Sequence, residues 1–405
     1  MATALPAPPD YAGAHLRHVM TSAAAALGVE GFENRLGVPE SSIAVVVMVD
    51  GLGDENLARH TGHARFLASA WRSGRSARTL DVGAPATTAV SLTSLGTGLT
   101  PGETGMLGYD LYAPHLGRVV NMLSGWPDDL DPSSWQPHPT VLQRAQSAGA
   151  EVLTVSRPQF RSSQLTRASL SGGEFRGAER IEHRFAAAAD WIGGHRKSGG
   201  TRRGPATPLL VYLYVDELDR TGHREGTASP RWREYLEGLN AAAERFSMQL
   251  AQRFGERATV LLTADHGMVD VPHAAGIDVA EREDLLGGVE HTAGDPRMMY
   301  LHTLPHADPG QIADLWRRAL GESAWVLTRQ EAVDAGWFGP VNDTALPRIG
   351  NVIIAARDDI AFFDTRRSGP GVREMVGQHG SLTELERKVP LLELTGRTFD
   401  PATPV

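Results

Sequence analysis

The chain has 405 residues, including 39 Lys and Arg and 48 Asp and Glu, and its formal net charge at pH 7 is −9. It is long enough for a large core, so neither a disulfide nor a metal is needed for folding alone. The absence of cysteine excludes disulfide scaffolds, thiol catalysis and Cys-ligated metal sites. The acidic balance argues against nucleic acid polymers and anionic membranes, whose binding depends on Lys and Arg.

No segment of this sequence is expected to cross a membrane. The clearest apolar run, Ile43–Val49, is far shorter than the ~20 residues of a transmembrane helix. Near the N-terminus, no Lys- or Arg-rich segment precedes a compact apolar one, and Ala23–Leu27 is expected to belong to a short helix from about His15. We therefore expect a soluble, cytoplasmic protein without an obligatory protein partner.

Short apolar, β-branched runs recur along the chain, and helical patterns lie between them. In chain order the runs are Ile43–Val49, Val152–Val155, Leu209–Val215 and Ala258–Thr263. Runs that are apolar on successive residues are typical of strands buried on both faces of a parallel sheet. In Arg231–Phe254, apolar residues recur every three or four positions, which predicts an amphipathic helix against that sheet. We predict an α/β fold with a mostly parallel sheet and helices on both of its faces.

The sequence changes in character after Val269, where Pro, Gly and Asp cluster. Strand-like segments follow at Met298–His302, Trp325–Thr328 and Asn351–Ala355, with a helical pattern at Gln311–Leu320. This mixture predicts a smaller α+β unit inserted late in the chain. We expect residues 1–280 and 370–405 to form the core and residues 281–369 to form a lid.

Acidic and imidazole side chains follow the predicted strands. They are Asp50 after the first run, Asp219 and His223 after the third, Asp265 and His266 after the fourth, and, between glycines near the end of the chain, His379. Because ligands of open α/β sheets bind beyond the carboxyl ends of the strands, we expect these side chains to meet at one edge.

Three carboxylates and three imidazoles are enough ligands for two divalent ions. Mixed Asp and His sites suit Zn²⁺ or Mn²⁺ and suit Ca²⁺ poorly, since Ca²⁺ prefers oxygen ligands only. Each motif also has an ordinary alternative: Asp50-Gly51 as a turn, and Asp219 with His223 as a solvated helix face. Their joint occurrence at strand ends favours a metal site.

A candidate nucleophile lies between the first strand and the next ligands. Residues 89–95 are predicted to form a helix that is ended by Gly96 and Gly98. A hydroxyl at the start of this helix, on Thr87 or Thr88, would face free N–H groups and the positive end of the helix dipole. That position stabilises an alkoxide and a bound phosphoryl group. The alternative is that both threonines serve only as N-caps.

Together these motifs resemble those of the alkaline phosphatase superfamily. The matching segments are Asp50-Gly51, Pro85 to Gly98, Asp219 with His223, Asp265-His266-Gly267 and Gly377-Gln378-His379-Gly380. Within the superfamily the chain is most similar to the branch of nucleotide pyrophosphatase/phosphodiesterases and phosphonoacetate hydrolases. The resemblance runs from about Ile43 to Leu392.

The resemblance implies two metal ions and a covalent mechanism. One metal would be held by Asp219, His223 and His379, and the other by Asp50, Asp265 and His266. The Thr88 hydroxyl would attack phosphorus and form a phospho-threonine intermediate, which water then hydrolyses. Threonine at this position weighs against a sulfatase, which needs an oxidisable Cys or Ser precursor there.

The chain departs from the family pattern at two points, both of which concern substrate contacts. Many members have an Asn after the Thr-Gly segment, and here Tyr109 occupies that position, where a phenol can donate one hydrogen bond. No confident Lys/Arg pair of the monoesterase kind is found. Arg157 and Arg161 are candidates for substrate binding, with structural or surface roles as the alternative.

The expected substrate is a nucleotide diester. Without a cation cluster, a diester is favoured over the more highly charged monoester. The chain is similar to actinobacterial cyclic di-AMP phosphodiesterases, which use Mn²⁺, so the resemblance implies hydrolysis of cyclic di-AMP to pApA and AMP. The alternatives are a phosphonoacetate or phosphomonoester hydrolase, a phosphosugar mutase, which would return the phosphoryl group to its substrate, and a non-catalytic binding module.

Overall fold

The computed structural model describes residues 5–128, 130–198 and 206–401. The strands are β1 Ile43–Val49, β2 Ala77–Asp81, β3 Asp110–Ala113, β4 Arg118–Asn121, β5 Glu151–Ser156, β6 Glu174–Gly177, β7 Leu209–Val215, β8 Ala258–Ala264, β9 Val269–Asp270, β10 Gly276–Asp278, β11 Val289–Asp295, β12 Met298–Thr303, β13 Ala324–Thr328, β14 Val352–Ala356, β15 Ala361–Phe363, β16 Gly377–Gln378 and β17 Lys388–Glu393.

The α-helices alternate with these strands through most of the chain. They are α1 Arg17–Ala26, α2 Asp54–Arg59, α3 Arg65–Arg72, α4 Thr88–Thr97, α5 Pro101–Thr104, α6 Pro132–Trp135, α7 Val141–Ser147, α8 Gln164–Ser169, α9 Ile181–Ser198, α10 Glu217–Glu225, α11 Pro230–Phe254, α12 Pro309–Leu320, α13 Arg329–Asp334, α14 Thr365–Ser368 and α15 Glu384–Arg387. Within the described ranges, no helix has the length and apolar character needed to cross a membrane.

Seven of the described strands form the central sheet, in the order β2-β17-β8-β1-β7-β5-β6. The pairs from β8 through β6 are parallel, whereas β17 runs antiparallel to both β8 and β2. Every residue of β1, β7 and β8 is buried, as expected for strands covered on both faces. Helices flank the sheet, with α9 and α11 in one group and α1, α4, α7 and α8 in another. The predicted α/β class is confirmed.

The register of the three central strands brings their carboxyl ends to one level. Val49 of β1 lies opposite Val215 of β7 and Ala264 of β8. Asp50 and Asp265 are therefore the first residues beyond neighbouring strands, where their side chains leave the sheet at the same edge. The parallel pairing thus positions the functional site.

Residues within the predicted lid form their own small sheet. Its strands have the order β11-β12-β14-β13, all antiparallel, and α12 packs on β13 and β14. Trp316 of α12 is buried beneath this sheet, and its indole N–H donates to the Leu285 carbonyl at 3.0 Å. The segment therefore has a core of its own, while the boundary at 281–369 stays a prediction.

The helix predicted at residues 89–95 is longer than expected at both ends. It starts at Thr88 and ends at Thr97, with Gly98 in the left-handed conformation at φ +79°. Gly96 lies inside the helix, where a Cβ atom would come within 1.8 Å of the Ser169 carbonyl oxygen. Gly96 is thus required for close packing with α8, and Gly98 alone ends the helix.

Candidate active site

The start of α4 holds a threonine hydroxyl against the acidic edge of the sheet. Thr87 has extended backbone and occupies the N-cap position of α4 without a side-chain hydrogen bond to the helix, so Thr88 is the first helical residue. The Thr88 Oγ1 atom lies 3.2 Å from His266 Nε2 and 3.4 Å from Asp50 Oδ1. All four side chains are buried. Of the two candidate hydroxyls, Thr88 therefore meets the predicted ligands directly.

The three imidazoles of the site share one hydrogen-bonding arrangement. In His223, His266 and His379, Nδ1 lies 2.7, 3.0 and 3.0 Å from a backbone carbonyl oxygen. These carbonyls belong to Gly377, Gly267 and Ala86, respectively. Because a carbonyl can only accept, each Nδ1 must carry the proton, which leaves the Nε2 lone pair for another partner. This is the tautomer of a metal-ligating histidine.

Asp219, His223 and His379 form the first group of potential ligands. Asp219 Oδ1 lies 3.2 Å from His223 Nε2 and 3.9 Å from His379 Nε2. Ligand atoms of all three residues lie within 4.8 Å of one another. Asp219 Oδ1 is buried and has no hydrogen-bond partner among the described residues. An orphaned carboxylate oxygen between two imidazole lone pairs fits a bound cation.

The second group surrounds His266. Its Nε2 lies 3.2 Å from Asp50 Oδ1 and 3.5 Å from Asp265 Oδ2. Asp265 Oδ1 accepts from the N–H groups of Gly51 and His266, both at 3.1 Å, while Asp265 Oδ2 has no hydrogen-bond partner in the described structure. At this position, ligand atoms of Asp50, Asp219 and His266 lie within 4.8 Å of one another. Asp219 therefore borders both groups, which the sequence analysis had divided between separate residues.

The electrostatics of the cluster favour replacing a proton by a metal. Burial lowers the pKa of His266, but the Asp265 and Asp50 carboxylates outweigh it and raise this pKa to about 10. Burial, followed by repulsion from Asp50, raises the pKa of Asp265 well above its usual range. Burial and the neighbouring His266 lower the pKa of His379 well below its usual range. Since ligands bind metal only when deprotonated, a divalent cation would displace the proton that the raised pKa keeps on His266.

Two supporting residues were missed by the sequence analysis. The Tyr214 hydroxyl donates to Asp50 Oδ2, and the Ser91 hydroxyl donates to the Asp265 carbonyl at 2.6 Å. Both side chains are buried and hold a predicted ligand in place. The position of Tyr214, at the end of an apolar strand, was the available signal for its role.

A family model described as type I phosphodiesterase/nucleotide pyrophosphatase matches residues 44–382, a range that includes all six candidate ligands and Thr88. The chain belongs to the type I phosphodiesterase/nucleotide pyrophosphatase family. It is accordingly a hydrolase that acts on phosphoester bonds. The two groups of carboxylate and imidazole atoms give this phosphodiesterase a candidate metal site.

A human protein is similar to a short segment of this chain, and solved structures share its fold over most of its length. The human ectonucleotide pyrophosphatase/phosphodiesterase family member 7 is 37% identical over 68 residues, which are 16% of this chain and only 15% of that protein. Two solved structures match most of the chain. One is murine ectonucleotide pyrophosphatase/phosphodiesterase 5, as a threonine-to-alanine variant that is described as inactive and is in complex with AMP. Its TM-score is 0.63, and it is 15% identical over 87% of both chains. Phosphonoacetate hydrolase from Sinorhizobium meliloti 1021, in complex with phosphonoformate, has a TM-score of 0.64 and 20% identity over 88% of this chain and 91% of its own.

A cavity of about 730 Å³ opens beside the candidate metal ligands. Its lining combines Thr88 and the acidic edge of the sheet with apolar side chains, which include Phe160, Leu165, Phe175, Met299, Phe363 and Met375. Asp295 also lines the cavity; burial raises its pKa to about 7, and its carboxylate accepts from the Tyr109 N–H at 3.2 Å. The cavity thus offers a large apolar wall next to a charged centre.

The predicted substrate contacts have different outcomes. Tyr109 lines the cavity, where burial and the neighbouring Asp110 raise the pKa of its phenol. Arg157 is not among the cavity-lining residues; its guanidinium pairs with Glu179 at 2.9 Å and Asp216 at 3.2 Å. The cations that do line the cavity are Arg220 and Arg367. The Arg157 guanidinium is thus paired with acidic neighbours, and its role in substrate binding stays a prediction.

Proposed function

We propose that this protein is a two-metal phosphodiesterase that hydrolyses nucleotide phosphodiester bonds through a phospho-threonine on Thr88. The observation that carries the proposal is the position of Thr88 Oγ1, 3.2 Å from His266 Nε2 and 3.4 Å from Asp50 Oδ1, at the start of α4. A hydroxyl used only as a cap would face its own helix, whereas this one faces the ligand groups.

The side chains that would hold the metals are those of the two ligand groups. Asp219, His223 and His379 would bind one ion, and Asp50, Asp265 and His266 the other, with Asp219 close to both. When bound, Mn²⁺ or Zn²⁺ ions supply positive charge that lowers the pKa of a hydroxyl and stabilises charge on the phosphoryl oxygens. Two buried carboxylate oxygens of these groups, Asp219 Oδ1 and Asp265 Oδ2, have no hydrogen-bond partner among the described residues and fit the role of metal ligands.

The chain's own groups perform the substitution at phosphorus. Thr88 Oγ1 forms a bond to phosphorus while the bond to the leaving ester oxygen breaks, and the hydroxyl proton passes to the leaving alcohol through solvent. Free N–H groups in the first turn of α4 face the phosphoryl oxygens. Water then cleaves the P–Oγ1 bond and releases the monoester, so the net reaction consumes one water per diester bond.

The cavity supports a dinucleotide as substrate, and our specific candidate is cyclic di-AMP, hydrolysed to pApA and then to AMP. The cavity's volume of about 730 Å³ lies within the range of sites that enclose drug-sized ligands, and phosphonoacetate would fill only a small part of the cavity. The murine relative was crystallised with AMP as a threonine-to-alanine variant described as inactive, which supports both a nucleotide ligand and a threonine nucleophile. Within this proposal the enzyme works in the cytoplasm on a small molecule, without a membrane or protein partner.

Product analysis tests the proposal directly. Mn²⁺-loaded protein is incubated with cyclic di-AMP, and with pApA in a parallel tube, and products are separated by chromatography. We expect rapid opening of the cyclic compound. If both nucleotides stay intact while metal is bound, cyclic di-AMP is excluded, and turnover of phosphonoacetate or small monoesters would identify the alternative hydrolases. A mutase would release neither phosphate nor nucleotide.

A pair of variants tests the nucleophile. Thr88→Ala should lower kcat by roughly a thousandfold or more, because the proposed nucleophile is the hydroxyl that contacts both Asp50 and His266. Thr97→Ala is the matched control, because it removes a buried threonine from the opposite end of the same helix. The Thr97 hydroxyl donates to the Thr93 carbonyl and accepts from the Leu99 N–H. Retained turnover in Thr88→Ala, with metal content unchanged, would refute the covalent mechanism.

A further inference from the structure

A second, smaller cavity lies at the far end of α4 from Thr88. Its volume is about 180 Å³, and it is enclosed by α1, α7, the loop at 28–35 and Gly98, the C-cap of α4. Three guanidinium groups line it, those of Arg17, Arg35 and Arg144, together with the single carboxylate of Glu33. This cavity is here called the arginine pocket. Its cationic lining is unusual in a chain whose net charge is −9.

Neutral groups hold two of the guanidiniums in place. Arg17 donates to the carbonyls of Tyr11 at 2.7 Å and Gly98 at 3.0 Å. Arg144 donates to the Gly31 carbonyl at 2.8 Å, and its guanidinium lies 4.4 Å from the centre of the Phe32 ring. Carbonyls and a ring fix the orientation of these side chains but carry no formal negative charge. In the part of the chain that the structure describes, neither arginine has a carboxylate within 4.0 Å.

The acidic groups near the pocket do not neutralise its positive charge. Glu33 pairs with Arg35 at 2.8 Å, but the Glu33 side chain is 71% exposed, so solvent screens the pair. Glu103 attracts Arg17 without forming an ion pair. His18 stays neutral at physiological pH, because burial and the adjacent Arg17 lower its pKa to about 4. The pocket therefore keeps an excess of positive charge around an open space.

We propose that the arginine pocket binds a phosphate-type oxyanion: inorganic phosphate or the phosphate group of a small metabolite. Guanidinium N–H groups match the geometry and charge of phosphate oxygens, and preorganised side chains lose little entropy on binding. The space of about 180 Å³ accommodates a phosphate group.

This site is separate from the catalytic centre. Helix α4 has ten residues, which corresponds to about 15 Å between Thr88 at one end and the pocket at the other. An oxyanion in the pocket therefore cannot contact the metal ligands. The proposal does not depend on the metal chemistry, so the two can fail independently.

Equilibrium dialysis with radiolabelled inorganic phosphate tests the proposal on Mn²⁺-loaded protein at physiological ionic strength. We expect two phosphates per wild-type chain, one at the metal centre and one in the pocket. The variant with both Arg35→Gln and Arg144→Gln should keep only the first, and Asp219→Asn should keep only the second. A pocket phosphate that survives in the double variant, or a single wild-type site that is lost in Asp219→Asn, would overturn the proposal.

Two single substitutions act in opposite directions and keep the test valid if the double variant fails to fold. Within the protein, Arg35→Gln breaks only an exposed ion pair. Because it also removes one guanidinium from the pocket, it should weaken phosphate binding there about tenfold. Glu33→Gln removes the one acidic group in the lining and should strengthen binding. Equal affinity in wild type and both variants would refute specific recognition and show non-specific attraction only.

Discussion

A buried ion pair joins the turn between β11 and β12 to the segment that follows His379, and breaking it should strongly destabilise the protein. Arg297 and Glu386 are both fully buried and share two hydrogen bonds, of 3.0 and 2.8 Å. The guanidinium also donates to the carbonyls of Asp358 at 2.6 Å and Ile360 at 2.7 Å, and Glu386 accepts from the Ser381 N–H at 2.9 Å. Neither charge can reach water if its partner is removed.

The change to make is Glu386→Gln, which keeps the shape and removes the negative charge. Removing one partner of a buried pair costs about 3–5 kcal/mol, because the other charge stays buried and unpaired. We expect the free energy of unfolding to fall by about 3 kcal/mol, since the amide oxygen of Gln can still accept one hydrogen bond. Urea unfolding at pH 7, followed by circular dichroism at constant metal concentration, measures this.

Two further variants isolate the charge as the cause. Glu55→Gln breaks the exposed Glu55–Arg59 pair at 2.9 Å and should cost less than about 0.5 kcal/mol. A double variant with Arg297→Met and Glu386→Leu should be more stable than Glu386→Gln, because no charge is left buried. A loss below about 1 kcal/mol in Glu386→Gln, or a double variant less stable than the single one, would refute the reasoning.

Further predictions concern the metal ligands and acid stability. Asp219→Asn should reduce the bound metal from two ions per chain, because Asp219 borders both ligand groups; unchanged stoichiometry by elemental analysis would contradict this. Tyr214→Phe leaves Asp50 Oδ2 without its donor and should weaken metal affinity roughly 10–100-fold in a chelator competition, while equal affinity would exclude this supporting role. Burial lowers the pKa of His302 to about 3, so the unfolded chain binds more protons below pH 6.5, and stability falls as the pH decreases. His302 thereby lowers the free energy of unfolding by about 3 kcal/mol between pH 6.5 and pH 4. The His302→Asn variant should therefore have an unfolding free energy that depends less on pH.

The centre of the sheet could be predicted because burial on both faces leaves a strong signal. The runs at 43–49 and 209–215 coincide with β1 and β7, and the run at 258–263 ends one residue before β8 does. Of the candidate ligands, Asp50, Asp265 and His266 could be predicted from the same signal, since they come directly after β1 and β8. The acidic edge could be located because the apolar patterning of these strands and their burial in the folded sheet indicate the same strand ends.

Other parts of the molecule depend on contacts that local sequence does not encode. Strand β2 is half-exposed and polar, and its place beside the antiparallel β17 is set by pairing between distant segments. Asp219 lies close to both ligand groups only because α10 follows β7, which is the neighbour of β1 in the central sheet. The arginine pocket joins Arg35 to Arg144, which are far apart in the chain and carry no common motif. Such convergence is a property of packing, and a single sequence gives no sign of it.

The common register of β1, β7 and β8 has a consequence for how this protein tolerates change. Asp50 and Asp265 inherit their separation from the spacing of adjacent strands, about 4.8 Å. Insertions in the surface loops that connect the strands leave that spacing untouched. One residue inserted within β1 would instead carry Asp50 about 3.3 Å along the strand direction and turn its side chain to the opposite face. The chemistry of this enzyme is thus far more sensitive to the length of three buried strands than to the length of the long connections between them.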